Sequence, residues 1–318
     1  MRNITLLSAS LILGCLAPYA QGGPLLVSSI NGNNILAFDS ITGAPLGVFA
    51  SGGGLSNPYG LAFGPDGNLY VAGNGNNAIL RYNGVTGASM GTFASGGGLN
   101  GVIGITFGPD GNLYADSIGT NQVLRYNGTT GAFMNVFASG GGLAGPRGLV
   151  FHGGDVFVSS FGTDQVLEYN ATTGAFITAF ASGGGLIEPS GLVFGPDGNL
   201  YVSSLGSGQV LRYNGTTGAF INVFASGGGL NTPRGLLFGA DGNLYVSSGG
   251  TNNVLRYNGT TGAFMNVFAS GGINMAGYIA IDPQAIQLTP EPSSLPVSAA
   301  GLLLLVSGGF ASRLRFRS

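Results

Sequence analysis

The sequence predicts an all-β fold in which a unit of four strands is repeated six times. Thr-Gly-Ala recurs six times at intervals of 43 or 44 residues, and Phe-Ala-Ser follows each copy at a fixed offset. Short apolar segments alternate with glycine-rich turns between these markers, which is typical of the blades of a β-propeller. The threonines that mark the copies are Thr42, Thr86, Thr130, Thr173, Thr217 and Thr261. We therefore predict a six-bladed β-propeller, with blades of four antiparallel strands, over residues 23–289.

The copy over residues 191–225 shows how the strands of one blade are recognised. The apolar segment 191–194 precedes a Gly-Pro-Asp-Gly-Asn turn, and 200–204 forms the second strand. Apolar and polar residues alternate over 209–214, as in a half-buried strand, and the fourth strand covers 219–225. The turn residues would interrupt any helix in this segment. A flat sheet of all the strands would leave its edges exposed, whereas a ring of blades protects them.

The two ends of the repeat region predict how the ring closes. The first copy begins at its second strand, Leu25–Ser29, and lacks a first strand of its own. The segment Gly277–Pro283 follows the last Phe-Ala-Ser and matches the first strand at 191–196, with Gly277 in the place of Gly191. We therefore expect this C-terminal strand to complete the N-terminal blade.

The segment Gly60–Val71 reads Gly-Leu-Ala-Phe-Gly-Pro-Asp-Gly-Asn-Leu-Tyr-Val. It resembles NHL-repeat and gluconolactonase-like propellers, and the resemblance covers nearly all of residues 24–288. The resemblance implies the fold but no single function, because this architecture includes lactonases, lyases and binding modules. Gluconolactonase-like propellers hold a divalent cation in the channel with Glu, Asn and Asp side chains, and virginiamycin B lyase-like propellers need histidines and a metal. The single histidine, His152, is predicted to lie in a turn, which argues against such a lyase.

The recurring aspartates and arginines have structural explanations. An aspartate in an Asp-Gly-Asn turn bonds its own backbone, and arginines that share one third-strand position are expected between blades or on a sheet surface. The turn aspartates are Asp66, Asp110, Asp197 and Asp241, and the strand arginines are Arg81, Arg125, Arg212 and Arg256. We therefore predict no catalytic residue among them or elsewhere.

One face of the predicted disc varies between copies. The first-to-second and third-to-fourth turns share one face and are nearly uniform, whereas the second-to-third loops and the blade connections share the other face and differ. We predict that the varied face binds a ligand; drift in unconstrained loops is the alternative. The candidate binding residues are Tyr59, Ile103, Asp116, Arg147, Phe161, Asp164, Glu188, Ser190 and Arg234, with Ala276 at the equivalent position of the closing strand. Asp116, Asp164 and Glu188 could together hold a divalent cation, but they lack a metal-ligand spacing signature, and we predict no cofactor.

The N-terminus predicts export. One positive charge at Arg2, an apolar stretch over 4–16 and small residues thereafter form a secretory signal peptide over residues 1–22, which implies passage through the Sec translocon. The apolar stretch is too short for a permanent membrane span. The segment Ile12–Cys15 also resembles a bacterial lipobox, with Cys15 as the acylated residue.

The C-terminus carries a second targeting segment, over residues 290–318. Pro-Glu-Pro is followed by an uncharged apolar helix over 295–311, which is at the lower limit for crossing a bilayer, and then by arginines. The residues of the motif are Pro290, Glu291, Pro292, Arg313, Arg315 and Arg317. A simple tail anchor is the alternative, but the order resembles the PEP-CTERM sorting signal of Gram-negative bacteria. That resemblance implies an exosortase as partner, a transient stay in the inner membrane, and a final location on the outer surface or outside the cell.

Composition narrows the function classes. Charged residues make up 7% of the chain, the net charge is −2, and no basic stripe precedes the last six residues, which argues against nucleic-acid binding. Cys15 is the single cysteine, so the domain after the signal has no disulfide or thiolate site. We expect a monomeric, non-enzymatic surface or matrix module that binds exopolysaccharide or a surface protein. The alternative is a metal-dependent hydrolase or lactonase with its site at the channel mouth.

Overall fold

The computed structural model describes residues 23–281, where 24 β-strands form six four-stranded antiparallel sheets. Each sheet is one blade. Blade 1 contains β1 (Leu25–Ser29), β2 (Asn34–Phe38), β3 (Pro45–Ser51) and β24 (Ala276–Ile281). Blade 2 contains β4 (Pro58–Phe63), β5 (Leu69–Gly73), β6 (Ala78–Tyr82) and β7 (Ser89–Ser95). Blade 3 contains β8 (Ile105–Phe107), β9 (Leu113–Ser117), β10 (Gln122–Tyr126) and β11 (Phe133–Ser139).

The remaining blades repeat this arrangement. Blade 4 contains β12 (Pro146–His152), β13 (Asp155–Ser160), β14 (Gln165–Asn170) and β15 (Phe176–Ser182). Blade 5 contains β16 (Pro189–Phe194), β17 (Leu200–Ser204), β18 (Gln209–Tyr213) and β19 (Phe220–Ala225). Blade 6 contains β20 (Pro233–Phe238), β21 (Leu244–Ser248), β22 (Asn253–Tyr257) and β23 (Phe264–Ser270). Short 3₁₀ turns lie between the second and third strands of blades 2, 3 and 4, at Asn74–Asn76, Ile118–Thr120 and Phe161–Thr163.

The blades form a closed ring. The first strands of neighbouring blades contact each other in turn, from β24 to β4, β8, β12, β16 and β20, and β20 contacts β24 again. These six strands therefore surround a central channel. The predicted all-β, six-bladed propeller is confirmed. The apolar helices that we predicted at the two termini lie outside the described residues.

The closing strand is confirmed, but our alignment of it was wrong by one residue. Strand β24 pairs with β1 through Leu25–Ile281 and Ser29–Ala276. In blade 6 the residue that pairs in the position of Ser29 is Ser248, and its partner is Pro233. Ala276 therefore corresponds to Pro233 and not to Arg234, as we had assumed from the glycine of Gly277. Gly277 takes the place of Arg234, and Tyr278 takes the place of Gly235.

The apolar core lies between the blades. A phenylalanine of each Phe-Ala-Ser marker contributes to it: Phe137, Phe180, Phe224 and Phe268 are buried, and Phe49 and Phe93 are partly buried. In five blades a fully buried tyrosine at the end of the third strand also donates a hydrogen bond to the segment that follows the preceding blade. Tyr213, for example, donates a hydrogen bond of 2.8 Å to the carbonyl oxygen of Gly183. Repetition of these contacts around the ring explains why the six copies are so alike.

The recurring turns have the structural role that we predicted. In blade 5 the Asp197 carboxylate accepts hydrogen bonds from the Asn199 amide, from the Asn199 side chain and from the Tyr201 hydroxyl. Arg212 lies 3.5 Å from the same carboxylate. The same ion pair, at 3.7–3.9 Å, occurs in the other blades with this arginine. These arginines therefore lie on the surface of their own sheet, next to an aspartate.

Candidate functional site

The loop face of the disc carries the second-to-third-strand loops (30–33, 74–77, 118–121, 161–164, 205–208 and 249–252) and the segments that connect blades. Backbone hydrogen bonds join each loop to the connection beside it, as from the Leu205 amide to the Glu188 carbonyl oxygen. We call the opposite side, which carries the other turns, the turn face. The residues predicted to bind a ligand were assigned to the loop face.

Two of the predicted residues, Asp164 and Glu188, serve to join blades. The Asp164 carboxylate accepts a 2.7 Å hydrogen bond from the Glu188 amide, and both residues have positive φ, at 56° and 55°. An asparagine takes the place of Asp164 in four other blades and makes the same bond. The five pairs are Asn33–Asn57, Asn77–Gly101, Asn121–Gly145, Asp164–Glu188 and Asn252–Met275. The positions of Asp164 and Glu188 are therefore explained by the joining of blades 4 and 5.

Asp116 lies in strand β9 and not in a loop, and it is fully buried, so its assignment to the surface of the loop face was wrong. Its carboxylate accepts hydrogen bonds of 2.8 Å from the Ile103 amide and 2.6 Å from the Gly104 amide. Burial raises the pKa of this carboxyl well above its ordinary value, although the two amides and the charge of Arg147 oppose that shift. Serine occupies the same position in blades 1, 4, 5 and 6, at Ser28, Ser159, Ser203 and Ser247.

The serines explain what this position does. Ser203 accepts a hydrogen bond from the Gly191 amide and donates one of 2.7 Å to the Arg234 carbonyl oxygen of the next blade. Asp116 likewise accepts a hydrogen bond from the amide of the equivalent glycine, Gly104. Within the described residues no group of three His, Cys, Asp or Glu side chains could hold a metal ion. The cation site that we considered for Asp116, Asp164 and Glu188 is therefore not formed.

A tyrosine crosses the channel just below the loop face. Five blades carry glycine at one position of the first strand, at Gly60, Gly104, Gly148, Gly191 and Gly235. A Cβ atom at Gly191 would lie 2.1 Å from the Arg234 carbonyl oxygen, so a side chain there would collide with the next blade. Blade 1 has Tyr278 at this position. The Tyr278 hydroxyl donates a hydrogen bond to the Arg147 carbonyl oxygen of blade 4 and lies 3.1 Å from the Ser190 hydroxyl of blade 5.

Tyr278 covers a small cavity in the channel. The cavity has a volume of about 130 Å³ and is lined by the backbone of four channel glycines and by aliphatic side chains such as Leu61, Leu149 and Leu236. The two residues that the tyrosine hydroxyl contacts precede Gly148 and Gly191 on strands that begin at the loop face. The hydroxyl therefore lies on the loop-face side of the cavity. Burial raises the pKa of Tyr278, which keeps its hydroxyl protonated as a donor at neutral pH.

Two arginines lie beside Tyr278 without a counter-ion. The guanidinium carbon of Arg147 lies 3.5 Å from the Phe161 ring centroid, and that of Arg234 lies 5.7 Å from the Tyr59 ring centroid. Arg234 is only 6% exposed. Over residues 23–281 neither guanidinium makes an ion pair, and the Nε atom of each is buried without a hydrogen-bond partner. Burial lowers the pKa of Arg147, and the nearby charge of Arg234 lowers it further, against the opposing effects of Tyr278, Tyr59 and Glu188.

A small residue in a loop allows this arrangement. Tyr59 belongs to blade 2 and Arg234 to blade 6, and they meet across blade 1, which has Gly277 where the other blades have a side chain. Gly249 takes the place of Phe161 in the loop of blade 6, and a Cβ atom there would lie 2.8 Å from the Arg234 Nε atom. The arginine therefore fits beside the channel because this loop begins with glycine.

The structure thus brings together five of the nine predicted residues: Tyr59, Arg147, Phe161, Ser190 and Arg234. Ser190 is buried beneath Tyr278, and Ile103, at the equivalent position of blade 3, is 3% exposed, so neither forms an open surface. Tyr278 was missed as a site residue. The alternation of apolar residues in Tyr278–Ile281, aligned with Gly235–Phe238, could have shown that a tyrosine stands where the other copies have glycine. We call Tyr59, Arg147, Phe161, Ser190, Arg234 and Tyr278 the channel mouth.

Comparison with known proteins supports the fold. No protein-family model matches the chain, and no curated protein matches its sequence. A chain of the nidogen/laminin complex is similar in structure, with a TM-score of 0.68 and 19% identity over 82% of this chain and 98% of that one. A protein of unknown function from Bacteroides caccae has a TM-score of 0.63 and 15% identity over 82% of this chain and 99% of that one. A streptogramin B lyase has a TM-score of 0.54 and 18% identity over 68% of this chain and 70% of that one.

These likenesses are to propellers of different kinds, one in a complex between proteins and one a lyase, and at such low identity they establish the fold alone. In the part of the chain that the structure describes, no helix has the length and apolar character needed to cross a membrane. The predicted signal peptide over 1–22 and the sorting motif over 290–318 lie outside that part.

Proposed function

We propose that the protein is an exported binding module that holds a surface polysaccharide or surface protein at the channel mouth. The observation that carries the proposal is the convergence, from four blades, of residues that each occur in one or two copies of an otherwise uniform repeat. Tyr278 comes from blade 1, Tyr59 from blade 2, Arg147 from blade 4 and Arg234 from blade 6. The turn aspartates and strand arginines recur because they stabilise the blades, whereas these residues are not needed to build a blade.

The energetics of the channel mouth also favour a binding role. A guanidinium without a counter-ion, whose Nε atom is buried without a hydrogen-bond partner, costs folding free energy. The chain contains aspartates that neutralise arginines elsewhere, so the same solution was available to Arg147 and Arg234. Unfavourable arrangements of this kind are typical of sites at which a ligand supplies the missing partner.

The alternative, a metal-dependent hydrolase or lactonase, is supported by the resemblance to gluconolactonase-like propellers. The arrangement of carboxylates does not favour a hydrolase. The Asp116 carboxylate accepts hydrogen bonds from two backbone amides, and the Asp164 carboxylate accepts one from the Glu188 amide. Metal analysis of the purified full chain separates the two: a tightly bound divalent cation at one ion per chain would support the hydrolase.

The test of the binding proposal is an array of neutral and acidic polysaccharides and surface proteins probed with the full chain. The variant Tyr59→Ala/Phe161→Ala removes the rings that carry the two arginines, and we expect it to lose binding. Phe133→Ala/Phe176→Ala is the control, because these rings are partly exposed on outer strands far from the channel. Equal binding by both variants would contradict a site at the channel mouth.

The export proposal rests on the sequence of the two ends. We propose that residues 1–22 direct secretion and that residues 290–318 are processed by an exosortase-type enzyme. Mass spectrometry of the protein recovered from the producing bacterium gives its termini directly. A mature N-terminus near residue 22 and a C-terminus near Pro290 would support this route; an acylated Cys15 at the N-terminus would instead support a lipoprotein, and an intact C-terminus a tail anchor.

A further inference from the structure

We infer that the channel mouth binds a carboxylate group, and that the ligand is an acidic polysaccharide of the polyuronate type. The inference rests on the proposed binding function and narrows it to one class of ligand. It starts from a comparison of two kinds of arginine in this chain, those of the blade surfaces and those of the channel mouth.

The blade-surface arginines have their anion within the chain. Arg81 and Arg256 each have a buried Nε atom without a partner, but the Nη1 atoms lie 3.9 Å and 3.7 Å from the carboxylates of Asp66 and Asp241. Arg147 and Arg234 have the same unpartnered Nε atom but no carboxylate within ion-pair distance over residues 23–281. The carboxylates of Glu188 and Asp116 act on Arg147 only from farther away. The channel mouth therefore has two positive charges that make no ion pair within the described chain.

The two charges act on one small region. Arg234 lowers the pKa of Arg147 through their mutual repulsion. Both guanidinium groups lie against aromatic rings, Phe161 and Tyr59, which orient them without neutralising them. An anion between them would be attracted by both charges. A planar carboxylate matches an arginine best, because it accepts two parallel hydrogen bonds, here from the two terminal nitrogens of the guanidinium.

The distribution of apolar residues favours a polysaccharide over a protein partner. Protein interfaces depend on a few large apolar or aromatic anchors. The exposed large hydrophobic residues of the described chain lie on the fourth strands and on the turn face, as Leu46, Met134 and Val85 do, and Ile187 is the one such residue on the loop face. The loop face instead offers hydroxyls, amides and the two arginines, besides the acidic Asp164 and Glu188 where blades 4 and 5 join. A chain of sugar carboxylates is the polymer that these groups fit.

The experiment uses the full chain and calorimetric titration with oligogalacturonate as the probe. We expect saturable binding that weakens as salt rises, because the interaction is between charges. Arg147→Gln and Arg234→Gln should each weaken binding about tenfold, since each removes a charge-assisted hydrogen bond. Arg125→Gln and Arg212→Gln remove the same charge from blade surfaces and should leave binding unchanged. Circular dichroism of all four variants verifies that they are folded.

Three results would overturn the inference. Equal binding of the same oligosaccharide after its carboxyl groups are reduced to hydroxyls would exclude carboxylate recognition. Equal weakening by the blade-surface variants would show that net charge and not the channel mouth is responsible. Binding of polyglutamate but not of oligogalacturonate would move the ligand to the acidic proteins. In the array experiment, binding confined to neutral glycans would refute this inference and leave the proposed binding function standing, whereas no binding at all would refute both.

Discussion

The turn face and the loop face of this disc are built by the same strands but differ in how they treat charge. Each of four blade-surface arginines lies 3.5–3.9 Å from an aspartate in a turn-face turn of its own blade. At the channel mouth, on the loop face, Arg147 and Arg234 lie on aromatic rings and have no such aspartate among the described residues. Position in the fold does not require this difference, because either face could have carried matched charges.

The same contrast holds at the channel itself. Five blades have glycine where the first strands crowd together, and the closing blade has Tyr278, which spans to blades 4 and 5. Closure of the ring alone would not require a tyrosine in blade 1 at the position where the other five blades have glycine. The comparison teaches that residues shared by the copies explain the stability of the ring, while residues that break the pattern gather at one place. Substitutions at the two kinds of residue should therefore have different consequences.

Phe224→Ala tests the shared residues. Phe224 is buried between blades and contacts Tyr201, with 4.7 Å between ring centroids. We expect the free energy of unfolding to fall by about 3–5 kcal/mol, the usual range for truncation of a buried phenylalanine. Denaturant unfolding measures the change. Phe220→Ala, in the same strand but 41% exposed, is the matched control and should cost much less. Similar losses in the two variants would show that the interface between blades does not carry the stability.

Tyr278→Phe tests the residue that breaks the pattern at the channel. The variant keeps the ring and removes the hydroxyl, so the Arg147 carbonyl oxygen loses a donor and the buried Ser190 hydroxyl loses its partner. Leaving buried polar groups unsatisfied should lower the free energy of unfolding by about 1–3 kcal/mol. Tyr59→Phe makes the same chemical change at a hydroxyl with no hydrogen bond to another described residue, and we expect little effect from it. An equally small effect at Tyr278 would mean that its hydroxyl does not brace the channel.

The sequence was sufficient to predict the fold because the same structural unit is repeated six times along the chain. Spacing, turn residues and the missing first strand together specified blade number, strand order and closure. The site was harder to predict, because a site residue here is a departure from the repeat. The alignment that rested on Gly277 hid Tyr278, and Asp116 was placed in a loop because a charged residue is unusual in a strand that is buried on both faces.

Contacts between residues of different blades also could not be predicted from the sequence. Nothing in the sequence indicates that Tyr59 and Arg234, which belong to blades 2 and 6, meet over blade 1. Nor could the sequence show that Asp164 and Glu188 are engaged with each other, since the bond runs from a side chain to a backbone amide. Both contacts depend on the three-dimensional arrangement of residues far apart in the chain.

Asp116→Ser tests whether the aspartate that replaces serine in blade 3 lowers the free energy of unfolding in a way that depends on pH. Burial raises the pKa of Asp116 above its ordinary value of 3.8, so the folded protein keeps a proton that the unfolded chain releases. Stability should therefore fall as pH rises from that value through the raised folded pKa. The four turn aspartates have lowered pKa values, because hydrogen bonds and the arginine charge outweigh the opposing effect of burial, so their contribution is lost as pH falls below 3.8.

The two effects have opposite signs and can be separated. Asp116→Ser restores the residue found in four other blades, and denaturant unfolding over a pH series should show that the decline toward neutral pH disappears. The decline in acid should remain, since the turn aspartates are unchanged. A neutral-side slope that persists in the variant would show that Asp116 is not its source.

The smallest expected effect compares the two kinds of arginine directly. Arg234→Met removes a buried charge without a counter-ion and replaces it with an apolar side chain of similar length, so we expect the free energy of unfolding to rise by about 1 kcal/mol. Arg212→Met removes a charge whose partner is Asp197 at 3.5 Å, so we expect a loss of up to about 1 kcal/mol, because that pair is partly exposed. Denaturant unfolding of the two variants measures this difference in sign. If Arg234→Met is destabilising by as much as Arg212→Met, the channel-mouth arginine contributes to folding, and its lack of a counter-ion would no longer point to a ligand.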